Sequence, residues 1–176
     1  MKVLKGLLIL ILGIVAIYFI GAMFLPKSYT LTRSTVVNAP DSVVYKNIVD
    51  LNEFMNWNPW KRMDPTAKVT ISGPEAQPGQ VYRWEGEATG KGQMLITAVE
   101  PNKSVSHLLT FYEPMEGASN NIFTLEPSDG GTKVTWTLSG ENKTNLDKWM
   151  GLATDRMMGA SFEDGLGWLK EIVEKD

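Results

Sequence analysis

Lys133-Val134-Thr135-Trp136-Thr137-Leu138-Ser139, followed closely by the long stretch Asn145–Glu174, sets two periods side by side. In the first segment Val134, Trp136 and Leu138 alternate with Lys133, Thr135 and Thr137, so a strand there has one apolar face and one polar face. The second segment is helical in period. Leu146, Trp149, Met150, Ala153 and Met157 form one stripe, and Met158, Phe162, Leu166, Leu169 and Val173 form another. The two stripes slip where Met157 meets Met158, and Gly159, Gly165 and Gly167 follow. Since each glycine costs about 1 kcal/mol in a helix interior, the expectation is one helix with a bend or bulge near Gly159.

The alternation extends upstream. Strands are expected at Tyr29–Val37, Lys68–Ser72, Gly79–Glu87, Gln93–Glu100, Ser104–Tyr112 and Asn120–Glu126, with turns at Ala88–Gly92, Pro101-Asn102 and Ser128–Gly131. Between the first two strands, Pro40 or Asp41 opens a helix to about Leu51. A short turn follows at Glu53–Trp57 and stops at Asn58-Pro59. Strand, two helices, about six strands and a long helix make an α+β domain. Its antiparallel sheet is covered on one face by the terminal helix.

A different segment precedes this body. Gly6–Leu25 is twenty residues without a charge, about 30 Å as a helix, which matches a hydrocarbon core. It exceeds the roughly 7–15 residues of a signal-peptide core, shows no polar face, and ends at Pro26. A membrane anchor over 1–27 is therefore expected, with a body at 28–176; a cleaved signal is the alternative. Lys2 and Lys5 lie before the span and Lys27 after it, which places the amino terminus in the cytoplasm and the body outside it. No small-xxx-small pair argues for dimerisation through the span.

Charge and composition exclude several functions. Three of the 17 basic residues lie at or before Lys27, leaving 14 against all 20 acidic residues in the body. Such a body is a poor partner for nucleic acid. With no cysteine and one histidine there is no disulfide frame, thiol nucleophile or multi-histidine metal site. The sequence carries no nucleophile elbow, phosphate loop or dinucleotide fingerprint, and no metal or cofactor is expected. Glu85 and Glu87 share a strand face opposite Tyr82 and Trp84. They are expected to point to solvent, with Arg83 as their balancing charge. Asn102 and Asn142 head glycosylation sequons that matter only in a eukaryotic secretory pathway.

Several motifs, taken in order, resemble one family. They are Arg33–Pro40, Trp57-Asn58-Pro59-Trp60, Tyr82–Gly86 running into Gly90–Gly92, Gly131–Trp136, and Phe162–Leu166 with Leu169-Lys170. This order resembles the polyketide cyclase/dehydrase branch of the SRPBCC superfamily, the START-like or Bet v 1-like domains. The resemblance covers about 30–175. It implies the helix-grip fold, a curved sheet of about six to seven strands around a long carboxyl-terminal helix. It also implies a bacterial source and a cavity between sheet and helix.

Inward strand positions would give that cavity Tyr82, Trp84, His107, Phe111 and Trp136. The helix would give Met150 and Met157, and the mouth Trp57 or Trp60. The same stripe is what a plain core would show. Three functions follow as expectations. The first is tethered binding or transport of a small hydrophobic molecule such as a lipid, isoprenoid or aromatic metabolite. The second is a cyclase, dehydratase or hydrolase using His107 as base. The third is an envelope protein-interaction domain with a filled core. The scarcity of polar groups argues against the enzyme, and a core histidine is the competing reading of His107.

Overall fold

In a computed structural model, residues 2–175 are described; Met1 and Asp176, the outer ends of the two expected units, lie outside the described residues. Helix α1 (Lys2–Phe24) stops short of Pro26, which has no N–H to continue the ladder. Among its described residues only Ala22 is buried. Strand β1 (Ser28–Val37) leads to α2 (Asp41–Val49), whose apolar face buries Val44, Ile48 and Val49.

Two side-chain caps then set the path. Asp50 Oδ1 accepts the Asn52 N–H at 2.9 Å and opens α3 (Leu51–Trp57). Asn58 Oδ1 accepts the Trp60 N–H at 3.0 Å and opens α4 (Pro59–Met63). Proline at the first helical position has no N–H to leave unsatisfied there. Asn58-Pro59 therefore interrupts the helix as expected, and also starts a third one that periodicity did not reveal.

Six more strands complete the sheet: β2 (Lys68–Ser72), β3 (Val81–Gly86), β4 (Gly90–Glu100), β5 (Ser104–Glu113), β6 (Gly117–Ser128) and β7 (Gly131–Glu141). The order is β1-β7-β6-β5-β4-β3-β2, and every neighbouring pair is antiparallel. Register shifts at Lys91/Gly92 and Ile96/Ala98 add the local twist that curls such a sheet. Its inner face carries Leu31, Val105, Phe123, Val134, Trp136 and Leu138, all nearly inaccessible.

Where one long helix was expected there are two. Helix α5 (Asn145–Gly151) begins at a capping box between Thr144 and Asp147, and α6 runs Thr154–Val173. The break lies at Leu152-Ala153, where the Ala153 N–H reaches back only three residues, to Met150 O at 2.8 Å. Helix α6 runs through Gly159 without interruption, so no bulge breaks it there; the break in the helical stretch lies at Leu152-Ala153.

The glycines serve close approach instead. A Cβ on Gly159 would lie 2.6 Å from Arg33 Nη2, and Arg33 binds Asp155 at 2.6 Å and Glu163 at 2.7 Å on the same helix face. A Cβ on Gly165 would lie 3.0 Å from the Trp136 ring and 3.1 Å from Pro59. These glycines let β1 and β7 press against α6.

Two further expectations change. Glu85 and Glu87 are exposed, but the cation beside Glu85 is Lys91, its cross-strand neighbour, at 3.3 Å. Arg83 instead donates to Ser72 Oγ at 3.0 Å. The Asn142 side chain is buried and donates to Pro26 O at 3.0 Å, so that sequon offers no accessible amide.

Candidate ligand-binding site

The Trp57–Trp60 segment folds over the sheet and brackets one strand residue. Trp136 stacks on Phe162 of α6 with centroids 4.0 Å apart. Trp57 and Trp60 each meet it edge-on at 5.8 Å, and Phe123 lies beneath at 4.8 Å. Such geometries add to the burial of the rings themselves.

Beside this cluster is an apolar cavity. It is lined by Trp60, Tyr82, Trp84, Phe111, Trp136 and Phe162, with Phe54, Met94, Leu109 and Leu138 between them. Only about 60 Å³ is open to the centres of water molecules, room for a few atoms before side chains must move.

Few polar groups reach this lining. The Tyr82 hydroxyl lies 3.5 Å from Asn58 Nδ2, and burial pushes its phenol up to about 12. Asn121 Oδ1 accepts the Trp136 indole N–H at 2.5 Å. Thr89 and Lys61 stand at the margin, where Lys61 Nζ donates to Pro65 O at 2.8 Å. No carboxylate lines this cavity among the described residues.

A second opening adjoins the first and shares Phe111 and Leu138 with it. It offers about 670 Å³ on the same measure, between the β5–β6 hairpin and the α5–α6 junction. Met115, Met150, Met157 and Met158 line it with Tyr29 and Tyr112.

The nine expected site residues thus divide. Trp60, Tyr82, Trp84, Phe111 and Trp136 come together at the inner cavity. Met150 and Met157 line the outer opening. Trp57 and His107 are packed in the core and line neither. Asn58 and Asn121 are the functional candidates that the sequence reading passed over. Asn121 was detectable as a polar residue on the inward face of an alternating strand, in line with Phe123.

Residues 28–174 match the family model described as "Polyketide cyclase / dehydrase and lipid transport". The chain belongs to this family. Solved structures share the fold. A protein from Mycobacterium smegmatis, Ms6760, is 23% identical with a TM-score of 0.59, covering 82% of this chain and 90% of that one. Ara h 8.0201 is 15% identical with a TM-score of 0.60, covering 85% and 99%. The di-domain ARO/CYC StfQ from the steffimycin biosynthetic pathway is 10% identical with a TM-score of 0.63, covering 84% of this chain and 51% of that one. At these identities the likeness carries the fold alone. No curated protein matches the chain.

In this polyketide cyclase/dehydrase-type domain, His107 is 2% exposed and its ring meets Phe123 edge-on at 6.0 Å. Nδ1 lies 3.3 Å from both Asn121 O and Asn121 Nδ2, and Nε2 is buried with no partner. Burial pushes the imidazole from 6.5 down to about 4, against a small opposing effect of the Asn121 carbonyl. A neutral, enclosed imidazole is poorly placed to take a substrate proton.

The shift also sets a pH dependence. Between pH 6.5 and about 4 the unfolded chain takes up a proton that the folded one refuses, so stability is whole above 6.5 and falls as pH drops through that window. The loss by its lower end is about 3 kcal/mol at roughly 1.4 kcal/mol per unit. His107→Gln should flatten the pH dependence of the urea midpoint across this window; an unchanged slope would assign it to other groups.

Asp64 lies at the end of α4, facing the β3–β4 hairpin. It is buried, and its carboxylate accepts the Ala88 N–H at 3.0 Å and the Thr66 hydroxyl at 2.9 Å. These bonds, the Ala88 N–H first, hold its pKa below the usual carboxylate value. The latch therefore ties α4 to the β3–β4 hairpin above its ordinary pKa, and is lost only as pH falls through the lowered one.

Proposed function

We propose that the protein is a membrane-anchored carrier for a small hydrophobic molecule bearing one hydrogen-bonding group. Residues 1–27 form the anchor and 28–176 the binding domain. The amino terminus is cytoplasmic and the domain extracytoplasmic, as the lysines flanking the span argue. The observation that carries this reading is the inner cavity: aromatic and aliphatic walls, the un-ionised Tyr82 hydroxyl and the amides of Asn58 and Asn121, with no carboxylate and no accessible imidazole among the described residues. Such a lining desolvates a ligand and orients it, and offers little for proton transfer.

The family description includes lipid transport alongside cyclase and dehydrase activity, which suits a carrier. Adaptable methionines around the outer opening suit ligands of varied shape. One observation favours a second reading, a filled domain acting on a protein partner: the inner cavity offers only about 60 Å³.

Organic extraction of the detergent-purified full chain, followed by mass spectrometry, separates the two. A single class of amphiphile at near-stoichiometric amount is the expected result. Ligand-free preparations with no thermal shift across a lipid panel would favour the partner reading. Tyr82→Phe should lower retention of that amphiphile about fivefold, since it removes one hydrogen bond of roughly 1 kcal/mol; equal retention would remove Tyr82 from the site.

A further inference from the structure

The end of α1 is bolted to α5. Ala22 O would ordinarily accept the N–H of residue 26, but that residue is proline and has none. Lys148 Nζ supplies the missing donor at 3.1 Å, where a cation also suits the negative end of a helix. The Trp149 indole N–H reaches Tyr18 O at 3.2 Å. Its ring lies flush against Gly21, where a Cβ would sit 2.7 Å away. Asn142 adds two bonds, from its backbone N–H to Lys27 O at 2.8 Å and from Nδ2 to Pro26 O at 3.0 Å.

These contacts fix the level of α5 against the span. A core of about 30 Å takes roughly twenty helical residues. Counted from Lys2 it ends near Ala22, and counted from Gly6 it ends at Leu25. On either count Tyr18 lies below the boundary and α5 lies beside it. Trp149, whose indole N–H reaches the Tyr18 carbonyl, then lies near the boundary, where tryptophan is common at membrane interfaces.

Several side chains around this level are apolar and uncovered, while Glu116, Glu141, Lys143 and Asp147 also line the opening. Leu146 is 48% exposed, Leu152 56% and Met157 65%, and across the opening Tyr112 and Met115 are 49% and 43% exposed. The last three also line the 670 Å³ opening. Scattered exposed apolar residues need no explanation, but Tyr112, Met115 and Met157 gathered at one opening near the exit of an apolar helix do.

We propose that α5 and the β5–β6 hairpin tip rest in the headgroup layer of the bilayer that α1 crosses. The outer opening then faces lipid and receives an acyl or prenyl chain sideways from the leaflet. Phe111 and Leu138, shared by both spaces, stand where such a chain passes to the inner cavity. This inference rests on the membrane-anchored reading above.

The chain has no cysteine, so single cysteines report cleanly. Leu152→Cys, Met157→Cys, Ile14→Cys and Asp129→Cys would each carry an environment-sensitive fluorophore in the full chain, reconstituted in phosphatidylcholine vesicles with or without doxyl-labelled lipid. Asp129 lies at the opposite end of the β6–β7 hairpin, roughly 33 Å along the strand at about 3.3 Å per residue.

Labels at 152 and 157 should shift to the blue and lose most of their emission to the doxyl lipid, with little loss to aqueous iodide, while 129 does the reverse. If 14 is quenched by lipid but 152 and 157 behave like 129, the opening faces water and the inference is overturned. If 14 itself escapes the lipid quencher, the anchor reading fails first, and this inference with it.

Discussion

Trp136→Ala should destabilise the domain by about 3–5 kcal/mol, the range for removing a large buried aromatic. Trp136 is 1% exposed and belongs to four aromatic pairs, with Phe162, Phe123, Trp57 and Trp60. It joins β7, α6 and the α3–α4 segment in one contact. Truncation also strands Asn121 Oδ1, which loses the indole N–H donor; an orphaned buried acceptor costs roughly 1–3 kcal/mol. Domains are stable by only about 5–15 kcal/mol, so the urea midpoint should fall sharply. Trp136→Phe should recover part of the loss, since it keeps a ring against Phe162 but not the indole N–H. A loss below about 1 kcal/mol for the alanine variant would mean that the cluster does not hold the layers together.

Leu109→Trp should abolish ligand retention while leaving the fold intact. Leu109 lies half-buried on the wall of the inner cavity. An indole there would occupy the space that a ligand needs. Overpacking costs about 1–3 kcal/mol, and a site that can still expand lies at the lower end. The extracted amphiphile should fall at least about tenfold, equivalent to roughly 1.4 kcal/mol of lost affinity. The urea midpoint of the empty protein should move far less than for Trp136→Ala. An undiminished load in Leu109→Trp would place the ligand in the outer opening alone. Met150→Trp would then be the variant that reduces it.

Strand faces were legible because side chains alternate with a fixed period of two. That period alone turned Val105, His107, Leu109 and Phe111 inward on β5 and put Glu85 outside. The stripe Phe162, Leu166, Leu169 and Val173 was legible for the same reason on a helix, and all four are buried. The break in the helical stretch lies at Leu152-Ala153, ahead of the slip at Met157-Met158, and Gly159 and Gly165 mark the close approach of Arg33 and Trp136.

Which charge answers Glu85 was not legible. Lys91 stands opposite it only through the β3–β4 register, which two alternating strands leave open until the turn between them is fixed.

What the sequence determined by itself is therefore the order of the strands, the inward faces of β3, β5 and β7, the apolar span Gly6–Leu25 and the break at Asn58-Pro59. Each follows from local periods, caps and the missing N–H of proline. Depth and closure were decided only by the tertiary structure. His107 and Phe111 share one strand face, yet one lies sealed against Phe123 and the other stands between two openings. Met150 and Met157 lie on the expected helical stretch, yet the break at Leu152-Ala153 carries them to the outer opening. Whether an inward side chain lines a space or fills it depends on how close residues distant in sequence come. Trp60, Trp136 and Phe162 meet across three elements, and their contact leaves the inner cavity at about 60 Å³.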